Sequence, residues 1–268
     1  MRVDSVRLFP PQIGLADMRF EDTGQGIIRI SPEQLPPCYA LLHETFHTAE
    51  LNSLAEMQAD LSTPASIESK EQFIILTRLG IEDQNISSNP VVSLIAGCHL
   101  ALPNPKFSNQ SIGFIEYLVT NPTFRHLGHA SAMLSAFEQE MIRIANSRQE
   151  RLCLILGEVE PDFIDFKVKR GYHQPKASRY AQPPIAYNEN TYLPISAKLP
   201  KILMVKSWIG AIEADLLCTA VQVIFEKRYV PKRLDVRSAR KVMDYIHRHV
   251  YIPFFASLQV DRGFVVMN

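Results

Sequence analysis

FIEYLVTNPTFRHLGHASAML, residues 114–134, runs from an apolar strand through a turn at Pro122 and straight into a helix. The strand half carries Ile, Leu, Val and Tyr with little alternation, as expected of a strand covered on both faces. From Gly128 onward Met133, Leu134, Phe137, Met141 and Ile144 recur at helical spacing, so a helix is predicted over 128–150. Between the two lies Arg125-His126-Leu127-Gly128-His129-Ala130. A loop that ends at a helix N-terminus presents backbone N–H groups with no intrahelical partner, and the helix dipole adds positive potential there. Such a place suits an anion. Gly128 permits a tight turn and the close approach of a ligand, and Ala130 leaves the first helical turn uncrowded.

The flanking sequence sets this segment in a mixed α/β order. GIIRI (26–30) reads as a short strand, and a helical segment from about Tyr39 to Leu61 follows Pro32, Pro36 and Pro37, with a bend near Asn52-Ser53. QFIILTRLG (72–80), PVVSLIAGCHLALP (90–103) and SIGFIEYLVTNP (111–122) are three successive strands, which implies antiparallel pairing. After the helix of 128–150 come the buried strand RLCLILGEVE (151–160), a short helix in DFIDFKVKRG (162–171), and extended segments as far as about residue 208. A strand, a helix and a second strand in that order imply a parallel crossover, so the sheet is expected to be mixed and largely antiparallel. From about Gly210 the chain turns helical, with apolar faces over 211–229 and 235–250 that pack back on the core or form a homodimer interface.

Arg125-x-x-Gly128-x-Ala130 between a strand and a helix resembles the Q/R-x-x-G-x-G/A motif of the GNAT superfamily of N-acetyltransferases. FKVKRGY (166–172) resembles that family's F-Y-x-K-x-G-F element, and the order of elements agrees from about residue 27 to 206. The resemblance implies a GNAT-like catalytic domain over 27–206, preceded by an extension of 1–26 and followed by a helical extension of 207–268. It implies acyl transfer from acetyl-CoA, or a longer acyl donor, to a primary amine on a small molecule or peptide, directly within a ternary complex. The amides of Arg125, His126, Leu127, Gly128, His129 and Ala130 would then hold the pyrophosphate, and the backbone of Leu118, Val119 and Thr120 would pair with the pantetheine as an added strand.

A reacting amine must lose a proton, so a base is required. Glu116, a carboxylate in an apolar strand, is the first candidate because burial would raise its pKa toward neutrality. Glu158, at the end of the next strand, is the second, and Tyr180 is a candidate for the acceptor pocket. The sequence departs from the family where a Tyr often serves as the acid, for Lys167 stands there; a cationic lysine or water would suffice for a thiol of pKa ~8.5. A domain that binds acyl-CoA without turning it over is the alternative reading.

A competing signal is His43-Glu44-Thr45-Phe46-His47, which fits the H-E-x-x-H of zinc hydrolases. The longer extension of that motif fails, since Glu50 and Ser53 stand where Gly and His belong, and neither Glu68 nor Glu71 sits in a recognisable ligand motif. No metal is therefore expected, and the two histidines are read as helix surface bordering the acceptor pocket. His247 and His249 likewise lack partners at zinc spacing. The basic run KRYVPKR (227–233) reads as a solvated face.

Lys plus Arg (28) balances Asp plus Glu (28), which argues against a nucleic-acid partner. The scattered cysteines Cys38, Cys98, Cys153 and Cys218 lie in apolar runs and read as reduced, buried thiols. With no apolar run of the ~18 residues a span needs, and no signal-peptide pattern, the expectation is a cytoplasmic protein without a membrane partner.

Overall fold

The computed structural model describes residues 26–46, 51–63, 71–80, 91–184, 187–188, 191, 193–194, 201–232 and 234–268. Six strands form one sheet in sequence order: β1 (Ile27–Arg29), β2 (Glu71–Leu79), β3 (Val91–Ala101), β4 (Gln110–Thr120), β5 (Arg151–Val159) and β6 (Ile202–Ser207). All neighbours pair antiparallel except β4 and β5, which are parallel and joined by the helix α3 (His129–Ser147). The mixed, largely antiparallel sheet expected from the order of apolar runs is thus the one observed.

Apolar side chains cover both faces. On one face Ile74, Leu76, Ile95, Ile115, Ile155 and Met204 pack against Met133, Phe137 and Met141 of α3. On the other, Phe73, Ile75, Leu94, Phe114, Leu156 and Leu203 pack against α1 (Leu35–Thr45), α2 (Leu54–Ser62) and the C-terminal helices. Those helices are α5 (Ala214–Ile224), α6 (Val236–Ile246) and α7 (Ile252–Ser257). Leu216, Leu217, Val221, Val242, Ile246 and Phe254 bury their side chains in the same core as the sheet. The apolar faces of these helices pack against the chain's own sheet.

The first helical segment differs from expectation. It divides into α1 and α2, and α1 starts at Leu35, so Pro36 and Pro37 lie in its first turn rather than ahead of it. N–H groups there have no helical acceptor, so proline forfeits no bond. Ser53 caps α2, accepting a hydrogen bond from the amide of Glu56, whose carboxylate accepts in return from the amide of Ser53.

Strand β4 carries the irregularity that shapes the site. Tyr117 pairs with Ala96 and Ile115 with Gly97, which leaves Glu116 as an extra residue, a β-bulge. Gly97 is required opposite it. A Cβ there would lie 2.1 Å from the carbonyl oxygen of Phe114 and 2.9 Å from Cζ of Phe137.

Candidate active site

The parallel ladder between β4 and β5 ends at the pair Ile115–Gly157. Beyond it β4 continues through Leu118, Val119 and Thr120, still paired with β3 on one side, while β5 continues through Glu158 and Val159 paired with β6. No described strand pairs with β4 on its β5 side past Ile115, so the two strands form a fork. The edge of β4 at Leu118–Thr120 has the form that an extended ligand could complete as an added strand.

At the far end of β4 the chain enters a single 3₁₀ turn (Pro122–Phe124) and then the loop that leads to α3. His126 and Gly128 both take positive φ, at 65° and 84°. Gly128 is the residue before α3 in the left-handed region, where a side chain strains the backbone, and open space surrounds the place a Cβ would take. The bond from the amide of Ala132 to the carbonyl of Gly128 (3.1 Å) opens the helical ladder, so the amides of His129, Ala130 and Ser131 precede it.

Two cations that the sequence did not single out, Arg170 and Arg78, stand beside this loop. Arg170 donates to Oγ of Ser131 in the first turn of α3, and Arg78 Nη1 lies 3.4 Å from Nδ1 of His129. Arg125 Nε donates to the carbonyl of Thr120 (3.4 Å). His126 and Leu127 are exposed. His129 is half-buried, its ring edge-on to Phe124, and burial with the nearby Arg78 holds its pKa below the usual imidazole value. The donor set suits a polyanion: backbone amides at a helix start, ringed by guanidinium groups.

On the face of the sheet away from α3, the fork opens into a small cavity of about 70 Å³ lined by Phe46, Tyr117, Glu116, Glu158, Arg228 and Tyr229 among others. The carboxylate of Glu158 accepts hydrogen bonds from the hydroxyls of Tyr180 and Tyr229, one on each oxygen. Burial raises its pKa to about 7, against the pull of the two hydroxyls and of Lys201. A carboxylate has about four acceptor positions, so two donors leave it able to take a proton. Tyr180 serves that carboxylate from within the aromatic packing of Phe225 and Phe254.

Glu116 has a different setting. Arg228 Nη2 donates to its Oε2 (3.0 Å), and Arg228 Nε lies 2.6 Å from its Oε1. The same guanidinium also meets Asp60 of α2 (3.1 Å) and Glu71 of β2, and Lys232 pairs with Asp60 as well. Burial pushes the Glu116 carboxyl up, while Arg228 draws it back down. The sequence suggested a lone carboxylate; the fold supplies it with a buried counter-ion.

Arg228 and Tyr229 therefore overturn the reading of KRYVPKR as a solvated face. They sit in a π-helical turn (Phe225–Tyr229) that continues α5, and the wider turn directs both side chains inward. The side chain of Arg228 is 3% exposed, and Tyr229 is buried. No local pattern could have announced this, because the carboxylates that hold Arg228 come from α2, β2 and β4.

The helix α1 ends at Thr45, within the zinc-like string. His43 and Glu44 are exposed on α1, with the His43 ring beside Tyr39, while His47, Glu50 and Glu68 lie outside the described residues. Phe46 packs edge-on against Tyr117 at 5.4 Å and borders the cavity. Among the described residues no three His, Cys, Asp or Glu side chains gather as a metal site, and no helix is long and apolar enough to cross a membrane. All four cysteines are buried and unpaired, as their apolar surroundings suggested.

No family model matches the chain, and no curated protein matches it. Among solved structures, it is similar to an acetyltransferase of the GNAT family from Bacteroides thetaiotaomicron, at 18% identity and a TM-score of 0.44, over 84% of this chain and 97% of that one. It is also similar to Arabidopsis thaliana NAA60 in complex with acetyl-CoA, at 11% identity and a TM-score of 0.48, over 69% of this chain and 98% of that one. A third is the NatC complex bound to Gag peptide and CoA, at 14% identity and a TM-score of 0.43, over 68% and 98%. All three TM-scores lie below 0.5, and the chemistry rests on the chain's own residues.

Proposed function

We propose that the chain is a GNAT-type N-acyltransferase that moves an acetyl or other acyl group from a coenzyme A thioester to a primary amine. The observation that carries this reading is the fork between β4 and β5, with an anion cradle at the end of one strand and a proton-accepting carboxylate on the other. In this reading residues 27–206 form the catalytic body and 207–268 complete its acceptor side. The amides of Arg125–Ala130, helped by Arg170 and Arg78, hold the pyrophosphate, and the open edge of β4 at Leu118–Thr120 aligns the pantetheine.

The acceptor is a small-molecule or peptide amine that enters from the face bearing Glu158. Glu158, raised to about 7, takes the proton that the attacking nitrogen gives up, and Tyr180 and Tyr229 fix the carboxylate in place. Glu116, locked to Arg228, shapes the pocket and fixes its charge. Glu158 thereby takes the role for which the sequence offered Glu116 first.

Thermal unfolding with and without acetyl-CoA tests the reading. At a concentration of about 100 Kd the ligand should stabilise the protein by ~2.7 kcal/mol. Gly128→Val should cost about 1–2 kcal/mol through its left-handed backbone and abolish the acetyl-CoA response. A wild-type protein indifferent to acetyl-CoA would overturn the proposal.

A further inference from the structure

Between the short helix α4 (Ile164–Val168) and β6 the chain carries RYAQPP, residues 179–184. A residue before proline is held to extended backbone, and Pro183 and Pro184 are themselves buried, which fixes the backbone of Gln182. Side chains two apart in an extended segment leave it on the same side. Tyr180 reaches the carboxylate of Glu158, and Gln182 lines the same small cavity as that carboxylate. Gln182 is buried, and its amide oxygen Oε1 has no hydrogen-bond partner among the described residues. An enclosed amide oxygen without a donor is costly to the fold, and an N–H or O–H of a ligand would supply one.

The charged groups and donors around the cavity are already engaged. Arg228 gives Nη1 to Asp60 and Glu71, and Nη2 and Nε to Glu116. Nζ of Lys201 pairs with Glu160 (2.9 Å). The hydroxyl of Tyr229 donates to Glu158. What remains is capacity to accept: Oε1 of Gln182, and the carboxylate of Glu158 when it is ionised. Phe46 and Phe114 add apolar wall. A ligand matched to these groups brings two donors on a short apolar frame. A ligand carboxylate would instead face Glu158, while the described cations of the cavity, Arg228 and Lys201, are already paired.

We propose that Gln182 selects the acceptor: a short primary amine that carries a second hydrogen-bond donor, an ammonium or a hydroxyl, and no carboxylate. This rests on the acyl-CoA reading above and names the class of amine that the site takes. The reacting nitrogen sits toward Glu158, and the second donor bonds to Oε1 of Gln182. Gln182 takes no part in the transfer itself. A site built to hydrogen-bond its ligand discriminates strongly against an analogue that lacks the donor, because the site's own polar group is then left unpaired. Glu158 serves any amine, whereas Gln182 separates one amine from another.

Rates of coenzyme A release from acetyl-CoA test this. Ethylamine, propylamine and butylamine are each compared with their terminal amino, hydroxyl and carboxylate derivatives. On the best frame, the wild type should show kcat/KM about tenfold or more higher for the donor-bearing amine than for the parent, and the carboxylate derivative should fall below the parent. Gln182→Leu and Gln182→Met should bring the donor-to-parent ratio to within about twofold, chiefly through a higher KM for the donor-bearing amine. Gln182→Glu should favour the diamine over the amino alcohol more than the wild type does, since a carboxylate bonds an ammonium more strongly than a hydroxyl. A ratio that survives both apolar substitutions overturns the proposal. So does a wild type that prefers the parent amine, or one that prefers the carboxylate derivative, which would mean that Gln182 presents its amide N–H instead. Should the apolar variants fail to fold, the wild-type ratios and the shift in Gln182→Glu decide. A protein stabilised by acetyl-CoA that acetylates none of these amines refutes the acceptor class alone, whereas indifference to acetyl-CoA refutes the acyl-CoA reading itself.

Discussion

Arg228 and Lys167 both bury their charged side chains, on opposite faces of one sheet and beside one fork. Arg228 is surrounded by the carboxylates of Glu116, Glu71 and Asp60, brought from three different elements. Lys167 faces a ring and a glycine, with the nearest carboxylate already taken. A planar, permanently charged guanidinium suits a fixed crossing point where several anions meet. An ammonium, whose pKa moves readily with burial, can shed its charge where no anion meets it. The difference separates a charge that fastens the C-terminal helices to the sheet from one enclosed without a hydrogen-bond partner among the described residues.

The sharpest attack on this contrast is Arg228→Met. Removing the guanidinium takes their shared counter-ion from the carboxylates of Glu116, Glu71 and Asp60 and should destabilise the protein by about 3–5 kcal/mol in urea unfolding near neutral pH. A loss below about 1 kcal/mol would mean that the cluster relaxes into solvent and that the helices are held by apolar packing alone.

Glu158→Gln tests the carboxylate on the same face. The folded pKa of Glu158, about 7, lies above the unfolded value, so its stabilising contribution is complete below the unfolded pKa and is lost as pH rises through about 7. Over that window the wild type should lose about 3 kcal/mol relative to the variant. A flat difference would place Glu158 in water and remove it as a base.

Lys167→Met has the opposite sign. The folded pKa of about 8 lies below the unfolded value, so the stability tied to the neutral amine is present above the unfolded pKa and is lost as pH falls through about 8. Near pH 7 the variant should therefore exceed the wild type by about 1–3 kcal/mol, after allowance for the lost contact with Tyr172, and the gap should close toward pH ~10. A variant less stable than the wild type near neutrality would show that the ammonium is satisfied after all. The smallest expected effect is that of His126→Ala, within about 0.5 kcal/mol and without loss of the acetyl-CoA response, because the loop acts through its backbone.

Much of this arrangement was legible from residue order. Periodicity located β2 to β5 and α3 within a few residues, and the three successive strands with one crossover specified the mixed sheet. The left-handed Gly128 followed from a glycine between a proline turn and a helical stripe. What stayed hidden depends on meetings between distant segments. Glu116 and Arg228 are 112 positions apart, and a basic run on a helix looks the same whether water or a carboxylate awaits it. Pro36 and Pro37 misled for a local reason, since proline both ends helices and begins them.

The bulge at Glu116 also sets a phase. Before it, Ile112 and Phe114 face the core shared with the C-terminal helices; after it, Tyr117 and Val119 do, so even and odd positions exchange roles across a single residue. Deleting Glu116 would accordingly do more than remove a carboxylate. It would close the bulge, making Ile115 and Tyr117 consecutive partners of Gly97 and Ala96, with Tyr117 still against Phe46 and the amide of Asn52 and Leu118 still on the α3 side. Substitution at this position reports on charge, whereas deletion reports on the bulge itself, with the register of the strand beyond it kept.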